Sequence, residues 1–345
     1  MIKIFLNARV LNFPFSGVQR FVKEVSQELK EYVTLVGPPK SLSSGFTGQM
    51  WEQFVLPRIV GKNNVLFSPN YSGPIGLEKQ IVSVHDLAPF DYPDNLRLSY
   101  VLWYRFLIPV LLQRCAGIHT VSEFTKNKIV SILRIDENKV KVIPNGVSQH
   151  FFCDSNSQKI QDKVQFPFRY FLYIGSIQPR KNLNRLLCAW SQIEGLIPPD
   201  VWLLVGGAKG KSNVFRSLKL QSMPNRVLFL GFIQEETLPA LYHNSLGFIF
   251  VSLYEGFGIP VLEAMASGTP IIASNATALP EVVGNCGILV NPYSTKEISE
   301  AILRLTFDEE LRTKLSLCGL ERADQFRWNK TARELLRFIM ERFGS

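Results

Sequence analysis

Nowhere in these 345 residues does an Asp-x-Asp sequence occur, so a metal held by that motif's paired carboxylates is not expected. Cysteine is scarce: Cys115, Cys153, Cys188, Cys286 and Cys318 are scattered, odd in number and without a Cys-x-x-Cys pair. That pattern excludes a zinc ribbon and a disulfide scaffold, and it predicts free thiols in a reducing compartment. Long apolar runs are missing as well. The most apolar stretch, residues 98–112, is interrupted by Arg105 and Pro109 and stops short of the roughly 20 residues a membrane span needs. Residues 1–6 read as a strand from the start, so no secretory leader is expected and the reading is cytoplasmic. Charged residues make up 19% and hydrophobic ones 46%, which excludes a disordered chain and a coiled coil.

What is present is a basic α/β pattern. The formal net charge is +9 with an isoelectric point near 9.3. Residues 1–165 hold 19 Lys and Arg against 13 Asp and Glu, so most of the excess lies in the first half. These cations are dispersed, not massed in an arm. Nucleic acid is therefore not an expected partner, and nucleotide diphosphates and anionic lipid surfaces are.

Short apolar runs at residues 2–6, 33–36, 65–67, 80–84, 117–121 and 140–143 read as buried parallel strands, with helices at 18–32 and 123–133. A second set of strands follows at 170–174, 201–205, 227–229, 247–251, 270–273 and 287–289. Helices are expected there at 183–193, 237–244, 259–267, 295–306 and 308–317. Strands alternating with helices predict two doubly wound parallel sheets. The expected domains are residues 1–153 and 166–325, joined by the polar linker 154–165 and followed by a closing segment, 326–345. Ligands in such sheets gather at the carboxyl ends of strands.

Glu255-Gly256-Phe257-Gly258-Ile259-Pro260-Val261-Leu262-Glu263 is the most informative stretch. It follows a buried strand and opens a helix whose first turn holds Pro260, where a missing N–H does least harm. Such a turn presents backbone N–H groups to an anion or to sugar hydroxyls. Two carboxylates eight residues apart can accept from separate parts of one long ligand, although an unrelated surface pair has the same spacing. Residues 252–274, Ser-Leu-Tyr-Glu-Gly-Phe-Gly-Ile-Pro-Val-Leu-Glu-Ala-Met-Ala-Ser-Gly-Thr-Pro-Ile-Ile-Ala-Ser, resemble along their whole length the E-x7-E region of retaining family 4 glycosyltransferases.

The resemblance covers nearly the whole chain. It implies the GT-B fold: two facing Rossmann-like domains with a cleft between them, and a last helix that crosses back onto the first. It also implies roles. Glu255 would reach hydroxyls of a donor hexose, and the N–H groups of Phe257 and Gly258 the sugar or distal phosphate. Leu262 would lie beside the nucleotide through its backbone, and Glu263 would accept from the ribose hydroxyls.

Tyr173-Ile-Gly-Ser-Ile-Gln-Pro-Arg-Lys-Asn-Leu183 follows the first strand of the second half. Gly175 permits a close backbone approach. Arg180 and Lys181 sit at a helix start, where cations oppose the dipole by roughly 0.3–1 kcal/mol each. A bound diphosphate would reverse that sign, gripped by Arg and Lys. A solvated basic loop is the alternative. The family places Arg directly after the glycine and Lys five residues later. Here Ser176 holds the first place, and Arg180, preceding the retained Lys181, is assigned the missing charge. Gly231-Phe232-Ile233 resembles the loop lining the base pocket.

In the first half, His85-Asp86-Leu87 ends a strand and resembles the family's H-D-L branch. That makes His85 the catalytic-side candidate. Asp86 either orients the imidazole, binds the acceptor, or caps the next turn. Gly17, after Phe13-Pro-Phe-Ser, resembles a glycine whose N–H approaches the leaving phosphate. Ser122 reads as a helix N-cap and Gly146, in Pro-Asn-Gly-Val, as a residue with positive φ. Residues 98–114 read as a core helix, with a membrane-surface contact as the alternative.

The expected activity is retaining, metal-independent transfer of a hexose, with mannose from GDP-mannose as the expected donor. The acceptor is a hydroxyl of a surface polysaccharide, as in lipopolysaccharide, or of a lipid-linked glycan. No cofactor is expected beyond the donor substrate. The alternatives are a sugar-nucleotide epimerase of the same fold, which needs no acceptor, and a silent nucleotide-sugar-binding scaffold.

Overall fold

The computed structural model describes residues 3–13, 17–152, 166–207 and 224–344; the expected linker 154–165 and Cys153 lie outside them. The chain divides into two compact units. One comprises Met1–Asp91, Leu98–Gly146 and Phe326–Ser345, and the other Tyr92–Arg97 and Val147–Gln325.

The first unit is built on β1 (Ile4–Asn7), β2 (Val33–Val36), β3 (Val65–Ser68), β4 (Gln80–Val84), β5 (Gly117–Thr120) and β6 (Val140–Val142). All pair in parallel, in the order β2-β1-β3-β4-β5-β6. β3, β4 and β5 are buried at every position, which is why they read as unbroken apolar runs. The strand order reverses between β1 and β3.

The second unit holds β7 (Arg169–Ile174), β8 (Val201–Gly206), β9 (Val227–Gly231), β10 (Gly247–Phe250), β11 (Ile271–Ser274) and β12 (Ile288–Val290). Their order is β12-β11-β10-β7-β8-β9, again all parallel. This is the order of a dinucleotide-binding sheet, with its reversal between β7 and β10. Trp190 of the helix Leu183–Ile193 is fully buried there, edge-on to Phe171 at 6.3 Å.

Two local expectations are corrected. Gly146 does not have positive φ. A Cβ at this position would lie 2.3 Å from the Trp328 nitrogen, so glycine is required by close approach and not by a left-handed turn. Cys286 and Cys318 are not free thiols but form a disulfide, tying the segment before β12 to the helix Glu309–Asp324. They lie 32 residues apart in sequence, and packing alone brings their Cα atoms to 5.1 Å. Cys115 and Cys188 are free. The continuous helical run Gly45–Met50, Trp51–Val55 and Leu56–Val60 gave no clear signal in the sequence. Gly45 and Gly48 are poor helix formers, yet a side chain at Gly48 would meet the Ser43 carbonyl at 2.2 Å.

The helix Trp328–Phe343 belongs to the first unit, where Trp328, Leu335, Phe338 and Ile339 pack into one core with Phe21, Val22 and Val25. Thr331 Oγ1 donates to the Pro144 carbonyl at 2.8 Å, beside Gly146. Trp328→Ala is expected to cost the first unit about 3–5 kcal/mol. Urea unfolding followed by far-UV circular dichroism measures it, and a cost below about 1 kcal/mol would mean that this helix is not a structural part of the unit.

Candidate functional site

Two loops leave the second sheet at its reversal. One follows β7 and carries Gly175, Arg180 and Lys181; the other follows β10 and carries Glu255. Hydrogen bonds stitch them together. Leu253 N donates to the Arg180 carbonyl at 2.7 Å, and Asn182 Nδ2 donates to Val251 O at 2.9 Å and Pro292 O at 2.7 Å. Asn182 caps the helix Leu183–Ile193 from the left-handed region, at φ 61°.

Glu255 is the charge on which this arrangement closes. It is 8% exposed, with Lys181 Nζ at 2.5 Å from one carboxylate oxygen and Arg180 Nη1 at 3.5 Å from the other. Burial pushes the Glu255 carboxyl up, but the Lys181 ammonium and then the Arg180 guanidinium outweigh it, and the net shift is downward. Glu255 therefore stays ionised. Arg180 also donates to Tyr254 O at 3.1 Å and Gln178 Oε1 at 3.2 Å, and Lys181 Nζ lies 4.9 Å from the Phe250 ring centre. Two cations meet one anion here.

Downstream, Gly258 caps the helix Ile259–Ala266 at φ 109°, where a Cβ would also meet Leu279 at 2.5 Å. Phe257 and Leu262 are buried. Glu263 is buried on the same helix and accepts from Tyr242 OH at 3.3 Å. Gly175 N donates to Gly206 O at 3.0 Å. Gly207 has φ 134°, and a Cβ there would lie 1.9 Å from Gly175 O, so the close loop approach requires glycine at 207.

In the first unit, His85 follows β4 and places Nε2 2.8 Å from the Pro69 carbonyl. A carbonyl only accepts, so Nε2 bears the proton and Nδ1 is left as an acceptor. Burial lowers the His85 pKa, against smaller upward effects from the Pro69 bond and Asp86, so the ring is neutral at pH 7. Phe21 packs edge-on at 4.9 Å. Asp86 Oδ1 accepts from Ala88 N at 3.0 Å, which caps the turn entering Ala88–Asp91. Of the roles left open for Asp86, the described contacts supply the cap. Gly17 is exposed at the start of the helix Gly17–Glu28. Ser122 is the expected N-cap, accepting from Thr125 N at 3.1 Å.

Some participants gave no sequence signal. Thr277, at φ 59°, accepts from Glu255 N through Oγ1 at 3.2 Å, and Tyr242 reaches Glu263 from another helix. The Pro69 carbonyl that fixes the His85 tautomer is a backbone group, invisible to residue-type reasoning.

The family profile described as Glycosyl transferases group 1 matches residues 156–319, and that described as Glycosyltransferase Family 4 matches residues 77–151. O-antigen chain mannosyltransferase B of Escherichia coli is 30% identical over 272 residues, covering 77% of this chain and 71% of that protein. O-antigen chain mannosyltransferase RfbU of Salmonella typhimurium is 29% identical over 245 residues, covering 70% of this chain and 65% of that protein. Among solved structures, Anabaena HepE in complex with UDP and glucose superposes with a TM-score of 0.75 at 16% identity, over 99% of this chain and 100% of its own. That likeness concerns the fold.

The downward shift at Glu255 sets a pH dependence. A carboxylate whose folded pKa lies below 4.5 contributes stability in full above about pH 4.5 and loses it as pH falls through the lower folded value. Lys181→Met removes the nearer cation and is expected to cost about 3–5 kcal/mol at pH 7. Without Lys181 the downward shift at Glu255 shrinks, so the Glu255 share of the acid limb should shrink with it. Urea midpoints measured from pH 3 to 7 test this, and an unchanged acid limb would disprove the pairing.

Proposed function

We infer the reaction from the family: this chain belongs to the group 1 glycosyl transferases, has the GT-B fold of two Rossmann-like units, and is a glycosyltransferase. We propose that it transfers mannose from GDP-mannose, with retention of the anomeric configuration, to a hydroxyl of a surface polysaccharide or lipid-linked glycan. The observation that carries the reading is the convergence of Arg180 and Lys181 on Glu255 at the strand-order reversal of the second sheet. The names of the two O-antigen mannosyltransferase relatives support mannose. The UDP and glucose bound by the HepE neighbour support a nucleotide-sugar donor in general.

The chemistry follows from the charges. The bond between the anomeric carbon and the β-phosphate oxygen breaks, and its electron pair leaves with the diphosphate. Negative charge then grows where Arg180 and Lys181 stand, and the diphosphate competes with Glu255 for both. Glu255, released in part, accepts from the sugar hydroxyls, and Glu263 accepts from the ribose. The acceptor hydroxyl attacks from the face the diphosphate leaves, and its proton passes to the departing phosphate oxygen. His85 offers Nδ1 to a hydroxyl of the transferred sugar. No side chain acts as nucleophile, and no metal takes part.

A panel of nucleotide sugars in a thermal-shift assay comes first. A donor held at 100 times its dissociation constant stabilises by about 2.7 kcal/mol, and GDP-mannose is expected to give the largest shift. Turnover with GDP-mannose, with the product anomer read by NMR, should survive EDTA and retain configuration. Arg180→Ala and Lys181→Ala should each lower kcat by about 10²–10³, the size expected when a group that stabilises developing charge is removed. Inversion, a covalent sugar on Glu255 or Asp86, or release of an epimerised sugar without acceptor would each overturn the mechanism.

A further inference from the structure

The disulfide between Cys286 and Cys318 takes no part in the transfer chemistry, yet it joins two elements that flank the helix carrying Glu263. Cys286 lies in the turn between the helix Leu279–Val283 and β12, and Cys318 on the helix Glu309–Asp324. The longer of these helices runs against Ile259–Ala266. A Cβ on Gly319 would lie 3.6 Å from Met265 Cβ, and Ser316 Oγ donates to Gly268 O at 2.6 Å. The shorter one meets the opposite end of Ile259–Ala266. Leu279 is fully buried and would stand 2.5 Å from a Cβ on Gly258, and Thr277 Oγ1 accepts from Glu255 N at 3.2 Å.

Two kinds of link tie Leu279–Val283 to Glu309–Asp324. One is the disulfide. The other is Arg322, which donates through Nη2 to Glu281 O at 2.6 Å and through Nε to Val282 O at 3.1 Å. Arg322 stands about one turn beyond Cys318, so both links act on the same end of the short helix. A helix of five residues has little stability of its own, and tertiary ties must hold it in place. Hydrogen bonds exchange with water at small net cost, whereas a covalent bond does not. The disulfide is also within reach of a small thiol. Cys286 is 8% exposed, Cys318 is half-buried, and Leu317 beside it is 59% exposed. Cys115 and Cys188 are free, so one accessible disulfide stands among free thiols, unlike the dense bridging of a disulfide-stapled domain.

We propose that Cys286 and Cys318 form a reversible redox site, through which low-molecular-weight thiols and disulfides of the glutathione class set donor affinity. The thiolate of the reductant attacks Cys318 Sγ, the S–S bond breaks, and Cys286 leaves as a thiolate that takes up a proton. A second thiolate attacks the mixed disulfide at the reductant's sulfur and frees Cys318, which is protonated in turn. The protein gains two electrons and two protons, and the reductant departs as its own disulfide; glutathione disulfide drives the reverse. The bonded form braces Thr277 and Leu279 against Glu255 and Gly258. The reduced form lacks that brace, and the contact opens more often. The proposal rests on the donor reading above for the site it governs.

The test equilibrates the full chain in buffers from wholly reduced to wholly oxidised glutathione, with alkylation and peptide mass spectrometry to read which cysteines are bonded. Amide exchange of residues 253–263 without ligand, and titration with GDP-mannose, are measured on each form. Reduction is expected to speed exchange of the Glu255 amide about tenfold and to weaken GDP-mannose binding about five- to tenfold, with far-UV circular dichroism unchanged. Cys318→Ser should match the reduced protein in every buffer, and Cys188→Ser should keep the full response. The proposal is overturned by a bond that never forms, by one that reduced glutathione never opens, or by exchange at 253–263 indifferent to its state. Unfolding of the second unit on reduction would also overturn it, leaving a structural staple. Exchange needs no donor, so if GDP-mannose binds neither form the donor reading falls and exchange alone decides the redox site.

Discussion

Glu255 is a carboxylate withdrawn from water, and such a group is tolerable only with compensating charge close at hand. Lys181 and Arg180 provide it from a different loop. That requirement organises the end of the second sheet. The loop after β7 must run beside the loop after β10, and the backbone bond from Leu253 to Arg180 and the Asn182 side-chain bond to Val251 hold it there. Gly207 allows the approach from β8, where any side chain would strike Gly175. The same constraint explains how two cations are kept at a helix start. By themselves they would oppose the dipole; Glu255 between them binds them into a compact cluster.

How much of this was legible depends on what kind of physics set each feature. The strands were legible, because parallel strands covered on both faces become short unbroken apolar runs, as in Val65–Ser68 and Gln80–Val84. Helices with local signals were legible too: Ser122 announces Glu123–Leu133, and Pro260 sits in the first turn of Ile259–Ala266. Features set by distant neighbours were not. Gly146 looks like a turn glycine and is instead a contact glycine, because the Trp328 backbone arrives from residues far along the chain. The Cys286–Cys318 pairing and the Thr277 bond to Glu255 are likewise products of packing. Gly45–Met50 carries residues that disfavour helix, and tertiary contacts override them.

The site residues divide the same way. Residue type and spacing picked out Arg180, Lys181 and Glu255, and the structure brings these into contact. The sequence could not show that Asp86 is occupied as a cap, since its partner, the Ala88 N–H, is a backbone group two residues on. Nor could it show that Glu263 has Tyr242 as a partner. Hydrogen bonds to backbone, and bonds between separate helices, leave no trace in spacing.

The first unit adds a constraint on what His85 can do. Phe21 lies edge-on to its ring and stacks on His119 at 5.4 Å, and the Trp328 ring stands 6.0 Å from Phe21. His119 is itself buried and held neutral: burial brings its pKa down to about 3, Ser83 lies on Nδ1 and the Ile143 carbonyl on Nε2. His85 thus stands against an apolar and uncharged wall, with its Nε2 proton committed to Pro69. It cannot serve as an acid near neutral pH, because its one proton is engaged and a second is disfavoured by burial. What remains is the Nδ1 lone pair. A group that only accepts selects hydroxyl donors, which fits the sugar-orienting role proposed for His85. In the proposed transfer the proton balance then closes between acceptor and diphosphate.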